Sequence, residues 1–195
     1  MDSAGLRKDL ANMPSSEFIS KWVIDAIPFV CNSNYSLHSK WRHDIAQQLE
    51  IDPNDIIMSG SASVGVSLSP HKLLREFNEE SDIDIGIISE HYFDIAWHEL
   101  RRVDINSSKI TAAMRAAITE HRTRYIYWGA TATDRILPLL SFGVKWDRIM
   151  NSLQKYSCFE NRTVNFRIYK DNKSFRDYLM YGITKCRDSL LEGNI

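Results

Sequence analysis

The chain has few of the residues that tie a small secreted fold together or carry a protein into a bilayer. Its three cysteines, Cys31, Cys158 and Cys186, are odd in number, far apart in sequence and free of any C-x-x-C pairing. That excludes a disulfide framework and a cysteine-based zinc site, and it fits reduced thiols in the cytoplasm. No segment approaches the ~20 consecutive apolar residues that span a bilayer. Met1 to Pro14 mixes charged and polar residues and lacks the apolar run of a signal peptide. The expected setting is therefore cytoplasmic, without a membrane partner. A large excess of one charge is also missing. The formal net charge of −1 argues against general nucleic-acid binding and polybasic membrane attachment. His91, His98 and His121 do not recur at the i, i+4 spacing of a helical metal pair. There is no G-x-x-x-x-G-K-[ST] loop and no G-x-S-x-G elbow, which removes the P-loop and the serine-hydrolase patterns.

What is present is the balance of an ordinary globular protein, 44% apolar and 25% charged, enough to bury a core. The length suits a single domain over residues 1–195. Ser15-Ser16-Glu17 opens a helical pattern carrying Phe18, Trp22 and Val23, and Ser36 to Leu49 spaces Trp41, Ile45 and Leu49 by four. Asp52-Pro53-Asn54-Asp55 marks a turn, and Asp55 to Ser59 reads as a short buried strand. Ser69 to Glu80 is polar and predicts a loop or short helix, whereas Ile83 to Ile88 is β-branched and predicts a strand. Helices are expected over His91 to Val103, Lys109 to Arg124 and Val144 to Tyr156, with Tyr125 to Asp134 irregular. Thr163 to Tyr169 alternates as the next strand. Asp171 to Leu191 closes the chain as an amphipathic helix with Phe175, Tyr178, Leu179, Ile183, Cys186 and Leu190 inward. The expected class is α/β (α+β): a small mixed sheet flanked by several helices, with N-terminal helices over 15–50 and a C-terminal helix over 171–191 packed on it.

One constellation carries chemistry. Period-two alternation puts Asp82, Asp84 and Gly86 on one face of their strand and Ile83, Ile85 and Ile87 on the other. Two neighbouring carboxylates repel one another unless a cation joins them. Magnesium is a hard ion that takes carboxylate and phosphate oxygens, so the pair with a triphosphate would complete its coordination. After the preceding strand, Gly60 permits close backbone approach to phosphates, and the Ser61 hydroxyl with nearby N–H groups supplies donors.

Ile57-Met58-Ser59-Gly60-Ser61 followed by Ser81-Asp82-Ile83-Asp84-Ile85 resembles the signature of the nucleotidyltransferase superfamily that includes DNA polymerase beta, in its stand-alone bacterial form. The resemblance is specific over about Asp55 to Ile88. It implies a palm-like mixed sheet, a two-magnesium site, and transfer of a nucleoside monophosphate from an NTP, ATP before the others, with loss of pyrophosphate. Gly60 and Ser61 would then hold phosphates, and Asp82 and Asp84 the metals. The twenty residues between Ser61 and Asp82 exceed the usual interval, which an insertion around Pro70 to Asn78 absorbs as a surface loop.

The family usually places a third carboxylate on a later strand, where it binds the catalytic metal and helps remove a proton. Here Thr163, Asn165, Arg167 and Tyr169 form the polar face of that strand, so Asn165 stands in the expected place. An amide oxygen ligates magnesium weakly and is not a base. Either Asp104, Glu160 or Asp171 stands in, or the protein binds nucleotide and metal without transfer, as a regulator or protein partner of toxin–antitoxin or phage-defence type. Arg167, on the same face, is placed for a phosphate or for a neighbouring strand partner. From Lys145 onward there are ten Lys/Arg against six Asp/Glu, while residues 1–144 carry fourteen against nineteen, a division suited to a metal-bound polyanion. Tyr125-Ile126-Tyr127-Trp128 reads as core before base-stacking, and Glu76, Glu79 and Glu80 read as a solvated loop.

Overall fold

The computed structural model describes residues 3–69, 71–72 and 74–192; Pro70, placed in the insertion, lies outside the described residues. Among them are eight α-helices and one four-stranded sheet, an α+β fold. The sheet comprises β1 (Ile56–Ser59), β2 (Ile83–Ile88), β3 (Ala130–Ala132) and β4 (Val164–Tyr169), ordered β1-β2-β4-β3. β2 and β4 run parallel, and the two outer pairings are antiparallel. The parallel pair needs a long crossover. It is supplied by α5 (Glu90–Arg102), α6 (Ala112–Thr123) and α7 (Gly143–Ser152).

Alternation sends the strand side chains into two separate cores. On one face Ile56, Met58, Ile83, Ile85, Ile87, Phe166 and Ile168 pack against Trp41 and Ile45 of α3 (Tyr35–Leu49), Tyr92 of α5 and Trp146 of α7. Tyr92 meets Trp146 edge-on at 4.9 Å between ring centroids, a preferred aromatic geometry. On the other face Ile57, Ile88 and Tyr169 meet Phe175, Ile183 and Cys186 of α8 (Asn172–Leu191). The same core takes Leu6 and Leu10 of α1 (Ser3–Asn12) and Phe18 and Ile19 of α2 (Ser15–Ile19). Gly86 is what lets α8 close on the sheet, because a Cβ there would stand 3.0 Å from Phe175 and 3.2 Å from Tyr169.

Local chemistry sets the helix starts. Asn34, Ser89, Thr111 and Asp171 each cap a helix by accepting a backbone N–H, satisfying donors that the helix leaves open. The helix expected from Lys109 starts later, at Ala112. Ser107 closes a turn instead, its carbonyl accepting from Ile110 N at 3.0 Å, and Thr111 becomes the cap. The segment Tyr125 to Asp134 is more ordered than expected. Tyr125–Trp128 forms a 3₁₀ turn, Gly129 reverses at φ +59, and β3 then pairs with β4. Gly60-Ser61 is likewise not a simple turn but opens the single-turn helix α4 (Gly60–Val64). No helix of the described residues is long and apolar enough to cross a membrane.

Candidate functional site

The sheet register aligns Ser59 with Asp84 across β1 and β2, and Asp84 with Asn165 across β2 and β4. Asp84 is thus the centre of a polar row on the face that α8 covers. Next to it the chain leaves β1 through Gly60 at φ +66, a left-handed conformation that favours glycine. A Cβ at this position would lie 3.1 Å from Asp84 Oδ2, so the missing side chain allows the backbone to turn directly against the carboxylate. Gly60, Ser61, Asp82 and Asp84 all border one cavity of about 410 Å³, within the range of small-molecule sites. Asp82 immediately precedes β2 and is exposed, while Asp84 is half-buried. Burial pushes the Asp84 carboxyl above its ordinary value; Arg167 opposes the rise and Asp82 adds to it.

Arg167 enters the same cavity from β4. Its guanidinium carbon lies 5.0 Å from the Tyr178 ring and 5.5 Å from that of Tyr125, a cation–π setting. Its Nη1 donates to the Tyr178 hydroxyl at 2.6 Å, while its Nε is buried without a partner. Burial works against its charge, but Tyr169, Tyr178 and Asp84 together hold its pKa above the ordinary value. Burial also pushes the Tyr125 hydroxyl up to about 12. Arg167 is therefore a fixed cation within the site and not a solvated strand side chain.

Of the residues singled out from sequence, Gly60, Ser61, Asp82, Asp84 and Arg167 come together around the cavity. Asn165 does not border it; it stands opposite Asp84 in the β2–β4 register, and its amide works against the rise in the Asp84 pKa. None of the proposed substitute acids borders it either. Asp171 caps α8 by accepting from Ser174 N at 2.7 Å, Asp104 accepts from Asn106 N at 2.9 Å, and Glu160 lies in an exposed turn. Among the described residues no three His, Cys, Asp or Glu side chains cluster as a metal-binding group. Two carboxylates in one cavity can still share a cation with phosphate oxygens.

Several further residues line the cavity, most of them without a local signal in the sequence; Trp128 belongs to the aromatic run that reads as core before base-stacking. Lys72, Arg75 and Glu80 come from the polar stretch between β1 and β2, Arg124 and Trp128 from the segment before β3, and Tyr178, Tyr181 and Lys185 from α8. Trp128 and Tyr181 lie 5.1 Å apart, and Lys185 Nζ sits 4.4 Å over the Tyr181 ring. Among the described residues the lining holds five Lys/Arg against three Asp/Glu. Such a surface attracts a polyanion and offers an acidic corner for its counter-ion. Comparison with protein-family profiles, with curated proteins and with solved structures finds no significant match.

Proposed function

We propose that this cavity binds a nucleoside triphosphate with magnesium, and that the protein is a magnesium-dependent nucleotidyltransferase transferring a nucleoside monophosphate to an acceptor. The observation that supports this most is the meeting of Gly60-Ser61 with Asp82 and Asp84 in one cavity whose remaining charged lining is mainly basic. The local motif by which the chain resembles the nucleotidyltransferase superfamily agrees with that chemistry. ATP is the first candidate among the triphosphates.

The residues fit a hard cation. Asp84 is drawn against a side-chain-free backbone, Asp82 stands beside it, and both carry the oxygen donors that magnesium prefers. In this reading Asp82 and Asp84 hold the magnesium, which when bound supplies Lewis-acid stabilisation of charge on the phosphates. Gly60 lets the phosphates approach the backbone, Ser61 donates to them, and Lys72, Arg75 and Arg167 offset their charge. Trp128 and Tyr181 offer an aromatic wall for a base. α-labelled NTPs with magnesium and a cell extract as acceptor source should give labelled product that Asp84→Ala abolishes. No label transfer from any of the four NTPs sinks the transferase reading.

Asn165 favours a second reading, that of a catalytically impaired nucleotide-binding regulator or protein partner. It occupies the strand position beside Asp84, and it cannot accept a proton from an attacking hydroxyl. Magnesium-dependent NTP binding by calorimetry without turnover selects this reading. Gain of transfer in Asn165→Asp would identify the amide as the only lesion.

A further inference from the structure

We infer that Arg167 is a built-in counter-ion to Asp84 that keeps divalent cations out of the site until a polyphosphate arrives. The inference rests on the cavity being a nucleotide site, and it concerns how that site is charged before ligand enters.

Arg167 follows Asn165 by two residues, so it projects from β4 on the face that Asp84 occupies on β2. It is held there, with its guanidinium packed beside the Tyr125 and Tyr178 rings and anchored to the Tyr178 hydroxyl. Among the described residues Arg167 makes no direct ion pair, and its Nε is buried with no acceptor. A guanidinium with a nitrogen shut off from water normally meets an anion at close range. Here the anion on the same face of the adjoining strand, bordering the same cavity, is Asp84. The cation thus keeps one buried nitrogen without an acceptor.

Charge counting then decides what enters. At the acidic corner Asp82 and Asp84 carry two negative charges, Arg167 returns one positive charge, and Asn165, opposite Asp84 in the register, adds none. The rest of the lining sets Lys72, Arg75, Arg124 and Lys185 against Glu80. A divalent cation arriving alone therefore meets a cavity richer in positive than in negative side chains, and a fixed guanidinium beside the carboxylates that repels it. A triphosphate changes both terms: it gives Arg167 the acceptor that Nε lacks, and it brings its own oxygens to the cation. Cation and polyphosphate therefore enter as a unit.

The test is Mn²⁺ binding by the full chain, read from the free-ion signal in electron paramagnetic resonance. Without nucleotide, wild type should leave Mn²⁺ free into the millimolar range. Arg167→Met keeps a side chain of similar length between the tyrosines and removes the charge. It should tighten Mn²⁺ binding at least about tenfold, in line with the effect of a neighbouring arginine on a carboxylate. If that variant does not fold, Arg167→Gln removes the same charge while keeping a donor for the Tyr178 hydroxyl, and it should shift affinity in the same direction. Tight Mn²⁺ binding by nucleotide-free wild type, or unchanged affinity in the folded variants, overturns the inference. A non-hydrolysable ATP analogue separates the two claims. If it fails to bind wild type while the variants gain Mn²⁺ affinity, the nucleotide reading falls and the counter-ion role stands.

Discussion

Replacing Gly60 and Gly182 by alanine in separate variants should shift stability in opposite directions. Gly60 has φ +66, and an added Cβ would stand 3.1 Å from Asp84 Oδ2. The left-handed backbone alone costs an L-residue about 1–2 kcal/mol, and the carboxylate must also give way. Gly182 lies inside α8 and a Cβ there meets nothing within 4 Å. Alanine at an open helical position gains about 0.5–1 kcal/mol over glycine. In a chain of this size each kcal/mol moves the melting temperature by about 2–4 °C. Gly60→Ala should therefore melt about 2–8 °C lower than wild type, and Gly182→Ala about 1–4 °C higher, in thermal scans followed by circular dichroism. Gly60→Ala should also weaken nucleotide binding, since it displaces Asp84. Shifts of the same sign in both variants, or a Gly60→Ala protein as stable as wild type, would refute the close approach of Gly60 to Asp84.

Further outcomes follow from burial and charge. Because burial raises the Asp84 pKa in the folded state, stability falls as pH rises from the unfolded value of 3.8 through the raised folded value, and the cost persists above it. Asp84→Asn should thus melt higher than wild type at pH 7 while losing metal-dependent ligand binding; a lower melting temperature contradicts the strain. His121 is 3% exposed with an unpartnered Nδ1, and burial lowers its pKa to about 4. Its contribution is present above pH 6.5 and is lost as pH falls through about 4, a loss on the order of 3 kcal/mol. Urea midpoints measured from pH 7 down to 4.5 should show it, and His121→Leu should flatten the slope, leaving the part due to His38, whose pKa is also lowered to about 4 by burial. Trp146 is fully buried between Tyr92, Phe142 and Phe166, so Trp146→Ala should cost about 3–5 kcal/mol in chemical denaturation.

The parts of the fold that could be read from sequence are those where pattern and capping agree. Ile83-Asp84-Ile85 alternates because one face is core and the other is the site, and Thr163 to Tyr169 shows the same division around Asn165 and Arg167. Trp41, Ile45 and Leu49 mark the inner side of α3 by spacing alone. β3 was not legible, since Ala130-Thr131-Ala132 is too short to show alternation and is defined by its pairing with β4. The site divides in the same way. Its acidic half is local, because Gly60-Ser61 and Asp82-x-Asp84 lie at the junctions of two adjacent strands. Its basic and aromatic half is assembled from Lys72, Arg124, Trp128, Tyr181 and Lys185, which are brought together by a strand order that does not follow the chain. Periodicity tells which face a residue takes, not which distant segment faces it. The placement of Arg167 against Tyr125 and Tyr178 is a packing fact of the same kind.

In the proposed function Asp82 and Asp84 with Gly60-Ser61 form a metal–triphosphate site. Calorimetric titration of each NTP, with and without magnesium, into wild type and into the Asp82→Asn/Asp84→Asn double variant tests it directly. Magnesium-dependent binding of at least one NTP to wild type is expected, with one nucleotide per chain, and its loss in the folded double variant. Absence of binding for all four NTPs, or binding undiminished in the double variant, contradicts it.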